Sequence, residues 1–448
     1  MLPFPVEPTD SLFAITFFIA VYGLILSKGS QILANGTEKL TLVLPPAFVG
    51  GFLVPVLGAL PDIAIIVFTL IDLDASDVRK EGSIAMGLIA GSSSMLLILA
   101  FSLTIFLGRC DFQHDFLTGR KTTVDNECNS LSWRSLLSQG IELNKEVSVS
   151  AKWLLLSSLA YPFIAISTWI YSHQNVPEEE IFDSTKWYIV ATTAFVSILF
   201  FIYLFICAFS KQTTKFSLSL KERLLVSKVI SKLQPSIKTV REPFSERERL
   251  NTSDVALEIG QKWRERVQKK KNVVFGSVTN DQCSITISRC KTFSLGFGGI
   301  LAGVSIVILF SDVMVECMGN FAAYFDISPF FVSFCVGPLA ANISEVIMTA
   351  VFASQKTKNS ISLGVSSLLG AGVITNTLVF GCLLVLLYFK KVAFIFYSET
   401  IIVFSVQIVI SCIVLSLRLF NLSLGILLIW LYPLCLGLFY VLHYMYKI

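Results

Sequence analysis

The sequence predicts an all-α membrane protein of about ten transmembrane helices, arranged as two inverted five-helix repeats with a central cytosolic loop. Three features predict it. Apolar residues come in blocks long enough to cross a bilayer. A long basic stretch divides these blocks into five and five. A short motif in the second block recurs in the seventh.

The blocks come first. Of 448 residues, 54% are hydrophobic and 15% charged, against about a quarter charged in a soluble chain. At 1.5 Å per residue, some 20 apolar residues cover the ~30 Å hydrocarbon core of a bilayer. The competing account, a giant soluble core, fits this composition poorly. The net charge of +4 says little, because the charges are concentrated in one stretch. Six cysteines (Cys207, Cys317, Cys335, Cys382, Cys412 and Cys435) lie in apolar blocks, where cysteine acts as a small hydrophobe. Cys283 and Cys290 share a polar segment without histidine, so no zinc site is expected there. With only His114, His173 and His443 in the chain, a histidine-based metal enzyme or catalytic triad has little to work with, and no enzyme is expected.

Ten spans follow: about 11–33, 40–71, 83–108, 151–172, 186–209, 293–318, 327–353, 361–389, 392–417 and 421–446. The opening MLPFPVEPTD carries no basic n-region, so the first block is expected to remain as a helix. The second block holds Pro45, Pro46, Pro55 and Pro61 with Gly50, Gly51 and Gly58, and should be bent or broken. A first transmembrane half covers 1–209 with its repeat region at about 40–108. A basic loop covers 210–291. A second half covers 292–448 with its repeat region at about 327–389.

The loop holds 18 Lys or Arg against 8 Asp or Glu, with Lys211, Lys215, Arg289 and Lys291 near its ends. Basic residues flanking spans mark the cytosolic side, so both termini face outward or into a lumen. Glu178, Glu179 and Glu180 in the 173–186 connection agree, while Lys390 and Lys391 run against the rule. Residues 243–270 could form a charged helix, read either as a solvated segment or as a basic face for anionic lipid or a partner.

The internal repeat carries the chemistry. VGGFLVPVLGALPDIAIIV at 49–67 and VSFCVGPLAANISEVIMTA at 332–350 align with a shift of 283, pairing Asp62 with Glu345 and Pro55 with Pro338. In each half a proline precedes an acid by seven residues. The proline should kink the helix and free carbonyl oxygens near the acid. Gly58 and Ala59, and Ala341 and Asn342, share the face of their acid and leave carbonyls approachable; Asn342 adds an amide oxygen. Carboxylate, carbonyl and amide oxygens together suit a hard divalent cation. A mid-membrane carboxylate costs roughly 2.5–3.5 kcal/mol to insert and marks a functional site by default. A structural carboxylate bonded to a neighbouring helix is the alternative, and two at equivalent positions make it a poorer account.

The following spans contain GLIAGSSSMLL at 87–97 and SSLLGAGVITNTL at 366–378. Their small residues serve close helix packing as readily as an ion site. Asn376 differs, since a buried amide needs partners: it could line the site or hold neighbouring helices together. Asp312 and Glu316, spaced i and i+4 in the sixth span, could flank an ion entrance or simply sit at the solvated interface.

At these residues the chain resembles the cation/Ca²⁺ exchanger superfamily, and within it the sodium/calcium exchanger-like proteins of plants. The motifs are GALPD at 58–62, MGLIAGSS at 86–93, GRCD at 108–111, ISEVIMTAVFASQK at 343–356 and GVITNTL at 372–378. The resemblance implies that Asp62 and Glu345 are paired cation-binding acids, lined by Asn376 and Ser92 and completed by Asn342 and the carbonyls of Gly58 and Ala341. It implies an antiporter exchanging Ca²⁺ for Na⁺ or H⁺ by alternating access, its first and sixth helices sliding past the rest. No resident cofactor is implied. Where many exchangers carry glutamate this chain has Asp62, and Gly58, Ala59 and Ala341 stand at positions of hydroxyl residues. The EF-hands of the plant group are not recognisable in 210–291. Exchange of another divalent ion such as Mg²⁺ with H⁺ stands as the alternative, and a cation channel behind it. The expected partners are membrane lipid and the transported cations, with no nucleic acid. The protein is multi-pass, in a vacuolar or other endomembrane or in the plasma membrane.

Overall fold

The computed structural model describes residues 12–40, 54–71, 73–114, 121–123, 135–172, 178–209 and 282–442. Pro45, Pro46, Gly50, Gly51, most of the 210–291 loop with its 243–270 segment, and the side chains of Asp312 and Glu178–Glu180 lie outside what is described.

Among the described residues, the first half consists of α1 (Leu12–Leu40), α2 (Val54–Gly58), α3 (Leu60–Leu70) and α4 (Ala75–Ser94). A π turn, Met95–Ala100, joins α4 to α5 (Phe101–Leu107). After β1 (Cys110–His114), β2 (Lys121–Thr123), α6 (Ser135–Ser138) and β3 (Gln139–Glu142) come α7 (Val147–Ser158), α8 (Ala160–Ser172) and α9 (Glu178–Phe209). The second half is α10 (Gln282–Tyr324), α11 (Pro329–Ala341), α12 (Ile343–Ser354) and α13 (Lys358–Ile374). A second π turn, Thr375–Val379, leads into α14 (Phe380–Lys390), then α15 (Tyr397–Ser416), β4 (Leu419–Asn421) and α16 (Leu422–Tyr440).

Eight of the described spans are long and apolar enough to cross a membrane as single runs. The second and seventh are not, because each is broken into two short helices, α2–α3 and α11–α12. The large side chains facing outward, such as Phe17, Trp169, Trp187, Phe201 and Trp430, are apolar, as a lipid-facing surface requires. This is a multi-pass integral membrane protein.

Polar contacts join connections of the two halves at opposite ends of the α4–α5 and α13–α14 spans. At one face, Lys390 Nζ donates to Ile71 O at 2.7 Å and Leu73 O at 2.8 Å, and Phe396 packs on Gly82. At the other, Asn144 donates through its backbone N to Ser362 Oγ (2.9 Å) and through Nδ2 to Asn359 Oδ1 (3.0 Å), and Lys358 pairs with Glu142. The first contact gives Lys390 a local task at that face: it satisfies carbonyls at and just past the end of α3.

Between α5 and α7 the all-α membrane part gains a small antiparallel sheet with strand order β2-β1-β3-β4. Its last strand comes from the α15–α16 link, with Gly140 opposite Asn421, so the sheet ties two distant connections together.

The helices α1 and α10 pack along each other through glycine. A Cβ placed on Gly36 would lie 2.7 Å from Ile300 N and 2.8 Å from Gly296 O, so only glycine permits this backbone approach. At 43 residues, α10 is about 65 Å long, roughly twice the hydrocarbon thickness.

Candidate cation site at two broken helices

The breaks fall at Ala59 and Asn342, which are related by the same 283-residue shift that pairs Asp62 with Glu345. Their local causes differ. In the first half Pro61 lacks the N–H that a continuing helix needs and sits where a new helix begins. In the second, Asn342 closes α11 and opens α12 with φ −109° and ψ 10°. Each acid thus lies in the first turn of a new helix, at its positive end. Discontinuous helices that aim their ends at mid-membrane are a recurrent way to build an ion site.

The proline expectation needs one amendment. Pro338 sits inside α11 without interrupting it. The carbonyl it leaves without a helical donor is that of Phe334, and Tyr432 Oη of α16 donates to it at 3.2 Å. That oxygen is occupied by a neighbouring helix, so proline does not break the span. The break comes four residues later, where Glu345 N–H donates to Asn342 O (3.2 Å) in place of its α-helical partner, Ala341 O. Leu339 O, beside the break, accepts from Ser27 Oγ of α1 at 3.3 Å.

The structure brings three of the expected residues into one polar chain and two more into contact. Asp62 is 3% exposed, and Ser92 Oγ donates to its Oδ1 at 3.3 Å. Asn342 Nδ2 donates to that same Ser92 Oγ at 2.9 Å, joining the second half to the first. Glu345 is partly exposed, and its Oε1 lies 3.3 Å from where a Cβ on Gly58 would stand. Gly58 therefore makes room for the second acid one turn before the first. Ala341 is buried in the last turn of α11.

Asn376 is placed elsewhere. It is fully buried in the second π turn, and its amide is engaged by Tyr161, Ser157 and Gln407. Gln407 also donates to Ser93 Oγ at 3.3 Å, so this second polar cluster adjoins the first through the Ser92–Ser93 pair. Gln407, Ser157 and Tyr161 were not anticipated from sequence. For Gln407 the signal was present: it is an amide inside an apolar span, the property that singles out Asn376.

The small residues divide by role. Gly91 packs on the backbone of Phe334, and Gly370 and Gly372 pack on Tyr203 and Leu154, so they serve helix contact. Ser92 and Ser93 serve the polar clusters, while Ser94 Oγ is buried without a hydrogen-bond partner among the described residues. Glu316 is exposed on α10.

Two carboxylates with a serine hydroxyl, an amide and a helix break form an oxygen-rich set suited to a hard cation. The chain is 24% identical to the sodium/calcium exchanger NCL2 of Oryza sativa subsp. japonica, over 96% of this chain and 85% of that one. It is 25% identical to the sodium/calcium exchanger NCL of Arabidopsis thaliana over the same shares. Among solved structures it shares its fold with the H⁺/Ca²⁺ exchanger CAX (TM-score 0.58, 14% identity, 96% of this chain and 85% of that one). The sodium/calcium exchanger protein pattern matches residues 14–209 and 295–441, which is most of the chain and includes both broken spans. The chain belongs to the sodium/calcium exchanger protein family.

Proposed function

We propose that this protein is a secondary antiporter that carries Ca²⁺ in exchange for Na⁺ or H⁺, with Asp62 and Glu345 as the acids that hold the ions in turn. One observation carries the assignment of the site. Two spans are interrupted at positions related by one internal shift, and each presents a single acid in the first turn after its break. Relatives named as sodium/calcium exchangers and a fold shared with an H⁺/Ca²⁺ exchanger support the choice of cargo.

Coupling follows from competition. Ca²⁺ needs both carboxylates, and a counter-ion that occupies them excludes it, so each must leave before the other binds. Ser92 orients Asp62, and Asn342 holds Ser92 from the opposite repeat. Asn376 sets the wall behind them through the adjoining cluster, and the carbonyls of Gly58 and Ala341 complete the oxygen set. Gly58, Ala59 and Ala341 bring no hydroxyl, which favours a divalent ion over sodium at this site. The α1–α10 pair, seated on itself through glycine, is the body that slides to expose the site to either side. We assign it transport rather than catalysis, with 1–209 and 292–448 as two transport halves joined by the 210–291 loop.

The test is ⁴⁵Ca²⁺ uptake into vesicles holding the purified protein, with Na⁺, K⁺ and H⁺ gradients imposed separately. Uptake driven by an opposing Na⁺ or H⁺ gradient is expected, and Asp62→Asn or Glu345→Gln should abolish it. Full gradient-driven uptake in either variant would sink the site assignment. Uptake without any opposing gradient would favour a channel.

A further inference from the structure

Gln407 lies near the middle of α15, outside both repeat motifs and at least about two and a half helical turns from either end of the helix, and it is fully buried. Its amide meets that of Asn376 reciprocally: Asn376 Nδ2 donates to Gln407 Oε1 at 2.7 Å, and Gln407 Nε2 donates to Asn376 Oδ1 at 2.7 Å. Asn376 Oδ1 also accepts from Tyr161 Oη (3.1 Å), and its Nδ2 also donates to Ser157 Oγ (2.9 Å). An asparagine amide has two acceptor and two donor positions. All four are used, so in this conformation Asn376 offers no lone pair to an ion.

Both ends of the pair touch unusual backbone. Asn376 stands in the π turn Thr375–Val379. Ser93, which accepts from Gln407 Nε2, lies two residues before the π turn Met95–Ala100. A π turn closes i→i+5 hydrogen bonds, which shifts the register of the helix around it, and is frequent at functional sites. Ser93 is bonded in sequence to Ser92, whose hydroxyl meets Asp62.

We propose that Gln407 is a positioning residue for cation binding: by pairing with Asn376 and holding Ser93, it sets the register in which Ser92 faces Asp62. This rests on the reading of Asp62 and Glu345 as the ion-carrying acids. Interhelical glue with no bearing on the ion is the rival account, and the two differ in what they change. Glue alters stability; a positioning pair alters the Ca²⁺ concentration at which the site fills.

An exchange of the two amides separates them. Gln407→Asn shortens the reach and Asn376→Gln lengthens it, so each single change breaks the reciprocal geometry while the double exchange keeps the summed length. The full chain is purified and reconstituted, and ⁴⁵Ca²⁺ uptake is followed against Ca²⁺ concentration. Each single variant is expected to raise the half-saturating Ca²⁺ at least fivefold with the maximal rate per molecule within twofold. The double exchange is expected to return it to within twofold of the parent. Half-saturation unchanged in the singles, or a double exchange no better than the worse single, would overturn the proposal.

Melting of the detergent-purified chain, with and without Ca²⁺, supplies the second measurement. A lower melting temperature with an unchanged Ca²⁺ midpoint would mean glue alone and count against the proposal. So would singles and a double exchange that all fail to fold. If the parent itself showed no gradient-driven uptake, the antiport reading would fall, while the Ca²⁺ midpoint of melting would still decide the role of Gln407.

Discussion

Asn342 of the second repeat donates its amide to Ser92 of the first at 2.9 Å, across 250 residues of chain. Ser92 passes the contact on to Asp62, so the acid of one repeat is oriented by the helix break of the other. A site assembled this way depends on both halves, and its pieces are separately testable.

Ser92→Ala removes the donor to Asp62 and the acceptor for Asn342 in one step. A hydrogen bond to a charged group is worth about 1.5–3 kcal/mol, roughly a tenfold to hundredfold change in affinity. The half-saturating Ca²⁺ for gradient-driven uptake should rise by at least tenfold. A variant with parental half-saturation would remove Ser92 from the site.

Gly58→Val tests the room left for Glu345. A Cβ alone would stand 3.3 Å from Glu345 Oε1, and the added methyls would push the carboxylate aside. Uptake at limiting Ca²⁺ should fall more than tenfold, whereas Gly58→Ala should keep much of it. Equal activity in the two variants would mean that Glu345 does not need this space.

Gly36→Leu addresses the seam between α1 and α10. Its neighbours there are backbone atoms, which cannot rotate away. Overpacking of this kind costs about 1–3 kcal/mol or more, so both the melting temperature and transport should drop. Gly298→Leu on the same α10 meets nothing within 4 Å and should leave both intact. If the two variants behave alike, the glycine seam is not what joins these helices.

Tyr432→Phe deletes the hydroxyl that occupies Phe334 O. Leaving a partly buried carbonyl without its donor costs about 1 kcal/mol or somewhat more. A fall of a few degrees in melting temperature is expected, with Ca²⁺ half-saturation unchanged because this oxygen lies outside the proposed cation site. A shift in half-saturation would instead place Phe334 O among the ion's surroundings.

The all-α membrane class and the 283-residue shift that aligns Asp62 with Glu345 were legible in the chain, because each depends on local composition or on a repeat within it. Lipid demands long apolar runs, and a duplicated helix keeps its acid at the same offset from its proline. The location of the breaks was only half legible. Pro61 and Asn342 are ordinary signals for a helix start and end, but Pro55 and Pro338 looked stronger, and only Tyr432, 94 residues beyond Pro338, explains why that proline leaves α11 whole. Asn376 shows the same limit more sharply. Its sequence says that a buried amide must find partners; whether those partners are an ion or Gln407, Ser157 and Tyr161 depends on how four helices meet. Hydrogen-bonding capacity belongs to the residue and is written in the sequence. Which partner satisfies it is a matter of distance between segments far apart in the chain, and that only the folded arrangement decides.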